Sequence, residues 1–262
     1  MLVRDAGNLW HIVLQTEHGE LAGKFARDWS PRPEPFDSLL TVARRHDDGW
    51  FVWERGPGLD PEGRPANFLD VPVRLHLAFY RAAIVAVTAE DPYAGLILSM
   101  HGAGIYKRRY GLQDDLKMRF VDDAAEDARD FVADQEEGFS ERLAGLGIDE
   151  GEAWRGYHLL QAWDRLSLYA CLRDLDAGVT ETIPAVPLDG GQVELELAPL
   201  GPGRVQVAPW PFASPRLELT FERRVVPKDS WHTDAAFRTA FFDAPVEDAS
   251  ITLEPPPSPR PV

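Results

Sequence analysis

Apolar residues recur every three or four positions through the first two thirds of the chain and at alternate positions after that, which predicts a run of helices followed by strands. Leu14, His18, Leu21, Ala22 and Phe25 share one face of a helix expected over residues 9–29. The proline-rich stretch at 30–35 ends it, and Phe36, Leu39, Leu40, Ala43 and His46 repeat the period until Gly49. Residues 55–72, rich in proline and glycine, read as an irregular loop over the end of that second helix. A third helix over about 73–88 aligns His76 with Phe79, Tyr80 and Ala83. Asp91-Pro92 is a cap and first-turn proline, and the fourth helix it opens carries Ile97, His101 and Ile105 on one face. Residues 114–147 have helical propensity and a solvated acidic face, with Phe120, Ala124, Phe131 and Val132 beneath. Asp149 caps a last long helix to about 175, whose apolar stripe of Leu160, Leu168 and Cys171 is broken by Asp164.

Beyond residue 180 the period becomes two. Val193, Leu195 and Leu197, then residues 204–207, then Leu217, Leu219 and Phe221, and finally Ile251-Thr252-Leu253 predict three to five antiparallel strands. The expected fold is therefore mainly α, with a helical metal-binding domain over 1–180, a smaller antiparallel β-rich segment over 181–254 and an extended proline-rich tail over 255–262.

Composition narrows the partners. Hydrophobic residues make up 44% and charged residues 27% of the 262 positions, ordinary usage for a globular chain, and no apolar run reaches membrane-spanning length. A formal charge of −16 opposes binding to a phosphate backbone, and Lys107-Arg108-Arg109 is the only basic cluster. We expect no nucleic-acid and no membrane partner, leave self-association open, and expect a cytoplasmic protein because the N-terminal residues lack leader chemistry. The lone Cys171 reads as a small buried apolar residue.

Six residues carry the candidate chemistry: His18, His46, Asp47, His76, His101 and Asp164. Five of them fall on the inward faces of the expected helices, and a lone buried aspartate such as Asp164 would be costly without a partner. Imidazole and carboxylate together suit iron, manganese, zinc or nickel, whereas calcium or magnesium prefers oxygen ligands alone. One or two transition-metal ions are expected. His11 sits about 10 Å along the axis from His18 in the expected helix, too far for the same ion. His158 and His232 fall on other surfaces, while Glu17, Glu20 and Asp48 lie near enough in sequence to orient ligands.

In their order, His, His-Asp, His, His, Asp, these residues resemble the HD-domain superfamily of metal-dependent phosphohydrolases over about residues 9–176. With Gln15-Thr16-Glu17-His18 and Trp163-Asp164-Arg165-Leu166-Ser167, the pattern looks closer to an uncharacterised bacterial family with a His-Asp-x-Gly-Trp signature. The resemblance implies an HD-type helical bundle and a binuclear site. His18, His46, Asp47 and Asp164 would hold one metal, and Asp47 would bridge to a second on His76 and His101. It implies hydrolysis of a small anionic phosphoester by a metal-bridging hydroxide, with Asp47 catalytic and Lys107, Arg108 or Arg109 binding the substrate anion. Two alternatives stay open: a di-iron oxygenase of the HD type on the same six ligands, and a non-catalytic binding protein stabilised by metal.

Overall fold

The structure is a computed structural model that describes residues 1–113, 122–173 and 178–257. Its first elements are strands. Leu2–Ala6 (β1) and Leu9–Val13 (β2) pair antiparallel around a turn in which Gly7 takes φ +76°, a left-handed conformation that glycine adopts without a Cβ clash. Only then does the first helix begin, Gln15–Asp28 (α1), followed by Phe36–Arg45 (α2) and the short Phe51–Glu54 (α3). Val73–Glu90 (α4) leads to Pro92–Tyr106 (α5), where the Asp91 carboxylate accepts a hydrogen bond from the Ala94 amide at 2.9 Å. Asp122–Glu136 (α6), Phe139–Leu146 (α7) and Glu150–Leu172 (α8) complete the central helices. Asp149 and Glu152 form a capping box at the start of α8.

The chain then returns to the sheet through Glu181–Leu188 (β3), Gly191–Gly201 (β4), Arg204–Ala208 (β5) and Leu217–Pro227 (β6). A further helix, Asp234–Asp243 (α9), and a last strand, Val246–Glu254 (β7), follow. All seven strands join one sheet in the order β1-β2-β6-β7-β5-β4-β3. Every pairing is antiparallel except that of β5 with β7.

This corrects the expected fold class. The protein is not a mainly α, HD-type bundle with a small β-rich end; it combines its helices with a large seven-stranded mixed sheet curled into a half-barrel. The physical cause lies at both ends of the chain. Residues 9–13 were absorbed into the first helix by their spacing to His18, yet Trp10, Ile12 and Val13 favour a pleated surface and find one against β6, with Trp10 opposite Val226. Strand β3 is disguised by Pro184 and Pro187, and its register shifts between Ile183 and Val186 around Ala185 at φ 55°. Strands drawn from both sides of residue 180 thus share one sheet.

The principal core joins both layers. Phe25 and Trp29 meet Phe212, Trp163 packs edge-on against Trp29, and Leu195, Leu197, Val205 and Val207 supply the sheet side. Nearly all of α5 is buried, as its apolar residues on every face require. In α6 the acidic face is solvated, with Asp127 paired to Arg74 and Glu136 to Lys107, while Phe131 is fully buried. The expectations for Phe120, Asp122, Asp123 and Ala124, for the helix end at 174–175 and for the tail at 258–262 lie outside the described residues or side chains. Among the described residues no helix is long and apolar enough to cross a membrane.

Two glycines set the spacing of the helices that carry the site. A Cβ on Gly19 would stand 2.6 Å from the Arg44 carbonyl oxygen, so α1 and α2 cross closely only because that position is bare. A Cβ on Gly49 would run into the Phe79 carbonyl, so the turn after His46-Asp47 lies directly on α4.

Candidate metal centre

That close crossing brings His18 on α1 to His46 at the end of α2, with Nε2 facing Nε2 at 3.2 Å. Asp164 on α8 places Oδ1 3.0 Å from His18 Nε2 and 3.5 Å from His46 Nε2. Asp47 places Oδ2 3.8 Å and 3.7 Å from the same two nitrogens. All four residues are buried, the most exposed being Asp47 at 5%.

The outer atom of each side chain is already engaged. His46 Nδ1 lies 2.9 Å from the Ala43 carbonyl, which can only accept, so Nδ1 carries the proton. The Ser167 hydroxyl donates to the Asp164 carbonyl at 2.8 Å, leaving its oxygen to accept from His18 Nδ1, also at 2.8 Å. Asp47 Oδ1 accepts from Tyr80 Oη at 2.8 Å, and Asp164 Oδ2 accepts from Arg109 Nη1 at 2.6 Å. These tautomers turn two imidazole lone pairs and two carboxylate oxygens toward one point, with no donor among the four. Such a set repels itself unless a cation occupies the centre.

The spacing fits a transition metal. Bonds of about 2.0–2.2 Å to nitrogen and oxygen put neighbouring donors roughly 2.8–3.6 Å apart in octahedral to tetrahedral geometry. The separations among His18 Nε2, His46 Nε2 and Asp164 Oδ1 run from 3.0 to 3.5 Å, within that range, and Asp47 Oδ2 stands just outside it at 3.7 and 3.8 Å. Two carboxylates against the single guanidinium of Arg109 also leave one uncompensated negative charge in a dry site, which a divalent ion would reverse. Without the ion, burial opposes a charge on His46, yet Asp47 and Asp164 outweigh it and raise its pKa to about 9. Burial likewise opposes the charge on Asp164, but the Arg109 guanidinium beside it holds its carboxyl well below the usual range.

His76 and His101 line the same cavity with different commitments. Arg109 Nη1 donates to Gln161 Oε1, so the Gln161 amide nitrogen faces His101 Nδ1 at 2.9 Å and donates to it. Neutral His101 therefore carries its proton on Nε2, beside Tyr80 Oη at 3.4 Å, although it stands close enough to His46 and Asp164 to share an ion with them if that proton were lost. His76 Nδ1 is hydrogen-bonded to Tyr106, and its ring lies edge-on to Trp50. Burial lowers His76 to about 4 and His101 to about 3, so both are neutral. Four of the six sequence candidates thus form a ring of inward donors; His18, His46 and Asp47 bring ligand atoms within 4.8 Å of one another, Asp164 does so with His46 and His101, and His76 stands beside them.

The basic cluster divides. Lys107 pairs with Glu136 on the surface and Arg108 is exposed, whereas Arg109 is buried beneath α5. It gets there because Arg108, Arg109 and Tyr110 all take left-handed conformations, at φ 52°, 50° and 53°. Glu17, Glu20 and Asp48 do not touch the ligands; they bond the Glu222 amide, Arg44 and Arg45 respectively. Arg109, expected to bind an anion, instead supports Asp164, and the other supporting residues, Ser167, Gln161 and Tyr80, were not singled out for that role from sequence. Their one sequence signal is position, since Gln161 and Ser167 flank Asp164 by three residues and so share its helix face. Gln15 also lines the cavity, and its Oε1 is buried without a hydrogen-bond partner among the described residues. The cavity measures about 40 Å³ and is covered by Phe68 and Leu69 from the loop before α4.

Residues 1–228 match the model of a family described as "Protein of unknown function (DUF3891)". The chain belongs to that family. The match takes in every candidate ligand and strands β1–β6, and stops before α9 and β7. No curated protein and no solved structure matches the chain. The expected membership of the HD-domain superfamily is corrected by the DUF3891 match and by the half-barrel sheet, since the order of six residues does not by itself define a fold. The donor ring of this DUF3891 protein rests on its own distances.

Proposed function

We propose that this protein is a metal-dependent hydrolase acting on a small anionic phosphoester, with one divalent transition-metal ion held by His18, His46, Asp47 and Asp164. The observation that carries this reading is the inward set of four donor atoms with both imidazole tautomers fixed by Ala43 and Ser167. A divalent ion there would supply an acidified water and polarise a substrate oxygen. The protein's own groups do the rest. Tyr80 and Arg109 orient the two carboxylates, Gln15 offers an acceptor oxygen to a water, and His76 is the neutral imidazole placed to give or take a proton at Nε2.

The small size of the cavity favours a second reading, a closed structural metal site. One experiment separates the two. Protein purified with manganese, iron, zinc or nickel is analysed for metal per chain and screened against phosphoesters, beside His46→Ala and Asp47→Ala. The hydrolase reading expects about one metal per chain, turnover with at least one substrate, and loss of both in His46→Ala. Bound metal with a collapsed melting temperature in Asp47→Ala and no turnover by wild type selects the structural site. Wild type that retains no metal refutes both.

A further inference from the structure

A cavity of about 380 Å³ adjoins the metal-site cavity and shares Phe68, Leu69, Arg109 and Leu168 with it as a common wall. Three guanidinium groups line it, those of Arg109, Arg165 and Arg173, against one carboxylate, Glu181, which is already paired with Arg173. Arg109 is likewise committed, to Asp164, Gln161 and Gln113. Arg165 differs. Its Nη2 donates to the Thr182 carbonyl at 2.9 Å, but its Nη1 is buried with no hydrogen-bond partner among the described residues. A guanidinium left with an unmatched buried N–H is waiting for an acceptor.

Position adds to chemistry. Arg165 follows Asp164 on α8, so one turn of helix presents a candidate metal ligand to the small cavity and a guanidinium to the large one. Phe68, Leu168 and Leu172 make part of the lining apolar. We infer that this chamber is the binding site for the substrate, that it accepts a phosphoryl oxyanion on Arg165, and that its apolar wall takes the organic part of the same molecule. A phosphoryl group fits better than a carboxylate because the Gln113 amide, whose oxygen is held by Arg109, adds a donor to the guanidinium. The Phe68–Asp70 turn, which separates the two cavities, must shift for the oxyanion to pass to the metal centre, because about 40 Å³ holds a water or two and not a phosphoryl group. This assignment rests on the hydrolase reading only for the onward step; binding in the chamber requires no metal.

The test uses calorimetric titration of inorganic phosphate, and separately of acetate, into the full chain stripped of metal by chelation. Wild type should bind phosphate at one site, Arg165→Gln at least tenfold more weakly, and Leu172→Trp, which fills the apolar side, more weakly as well. Arg165→Gln must keep the wild-type melting temperature and metal content, which separates loss of the chamber from loss of the fold or of the metal centre. His46→Ala should lose metal and keep phosphate binding, so the hydrolase reading can fail while the chamber stands. Equal phosphate affinity in wild type and Arg165→Gln, phosphate binding only when metal is present, or binding of acetate in place of phosphate would each overturn the inference.

Discussion

Metal uptake should be governed by a single proton over a pH range where an ordinary histidine would have no influence. In the metal-free protein the proton on His46 is held by Asp47 and Asp164 against the cost of burial, with a pKa of about 9. A metal ion must displace it. At pH 7 the proton competes over roughly two pH units, so apparent affinity is reduced about 100-fold, whereas a free imidazole of pKa about 6.5 would cost less than about twofold. Titration against a chelator of known proton affinity should show log affinity rising by one per pH unit from about 6.5 to 8.5 and flattening above 9. Stability has the opposite trend in the metal-free chain. A folded pKa above the unfolded value stabilises fully below about 6.5, and that contribution, on the order of 3 kcal/mol, is lost as pH rises through about 9. The metal-free melting temperature should therefore fall between pH 7 and 9, while the loaded protein lacks this His46-linked fall. Metal affinity that is flat from pH 6.5 to 8.5 would refute the reasoning, because the two imidazoles would then share no displaceable proton.

Two further outcomes follow from the supports of the ring. Ser167→Ala removes the acceptor of His18 Nδ1 and should weaken metal binding by about 10- to 100-fold, with unfolding easier by about 1–3 kcal/mol in urea; affinity within twofold of wild type would show that the tautomer is not set there. Gly19→Ala drives a methyl toward the Arg44 carbonyl, and the resulting separation of α1 from α2 should cost about 1–3 kcal/mol and lower the metal content, whereas an unchanged urea midpoint would mean that the helices yield without strain.

Much of the helical layer was legible because its signals are local. The Asp91-Pro92 cap, the proline break before Phe36 and the 3.6-residue period around His76 each act within a turn or two, and α2, α4 and α5 begin where those signals put them. The sheet was not legible to the same degree, because its decisive contacts are remote. Leu9 finds its partner at Pro227, and Arg204 lies beside Thr252 in a parallel pairing that no hairpin rule anticipates. Helix α9 went unnoticed between strands, although Thr233 caps it. For the site, inward helix faces and chain order together selected the six candidates, but the tautomers that separate His18 and His46 from His101 depend on Ser167, Ala43 and Gln161. Those are common residue types whose role is visible only once their atoms are placed.

The N-terminal hairpin bears on how the protein must be made. Strand β2 has its outer neighbour in β1 at once, but its inner neighbour is Arg224–Pro227. On a ribosome adding about 5–20 residues per second, the first strands synthesised therefore wait for ten seconds or more before their inner edge can be covered. An exposed strand edge is a template for pairing with other chains, and a nascent chain released before residue 224 would keep that edge open. Truncation near residue 180 should accordingly yield aggregate, not a free-standing helical half, and the two ends of this chain must be supplied together for either to fold.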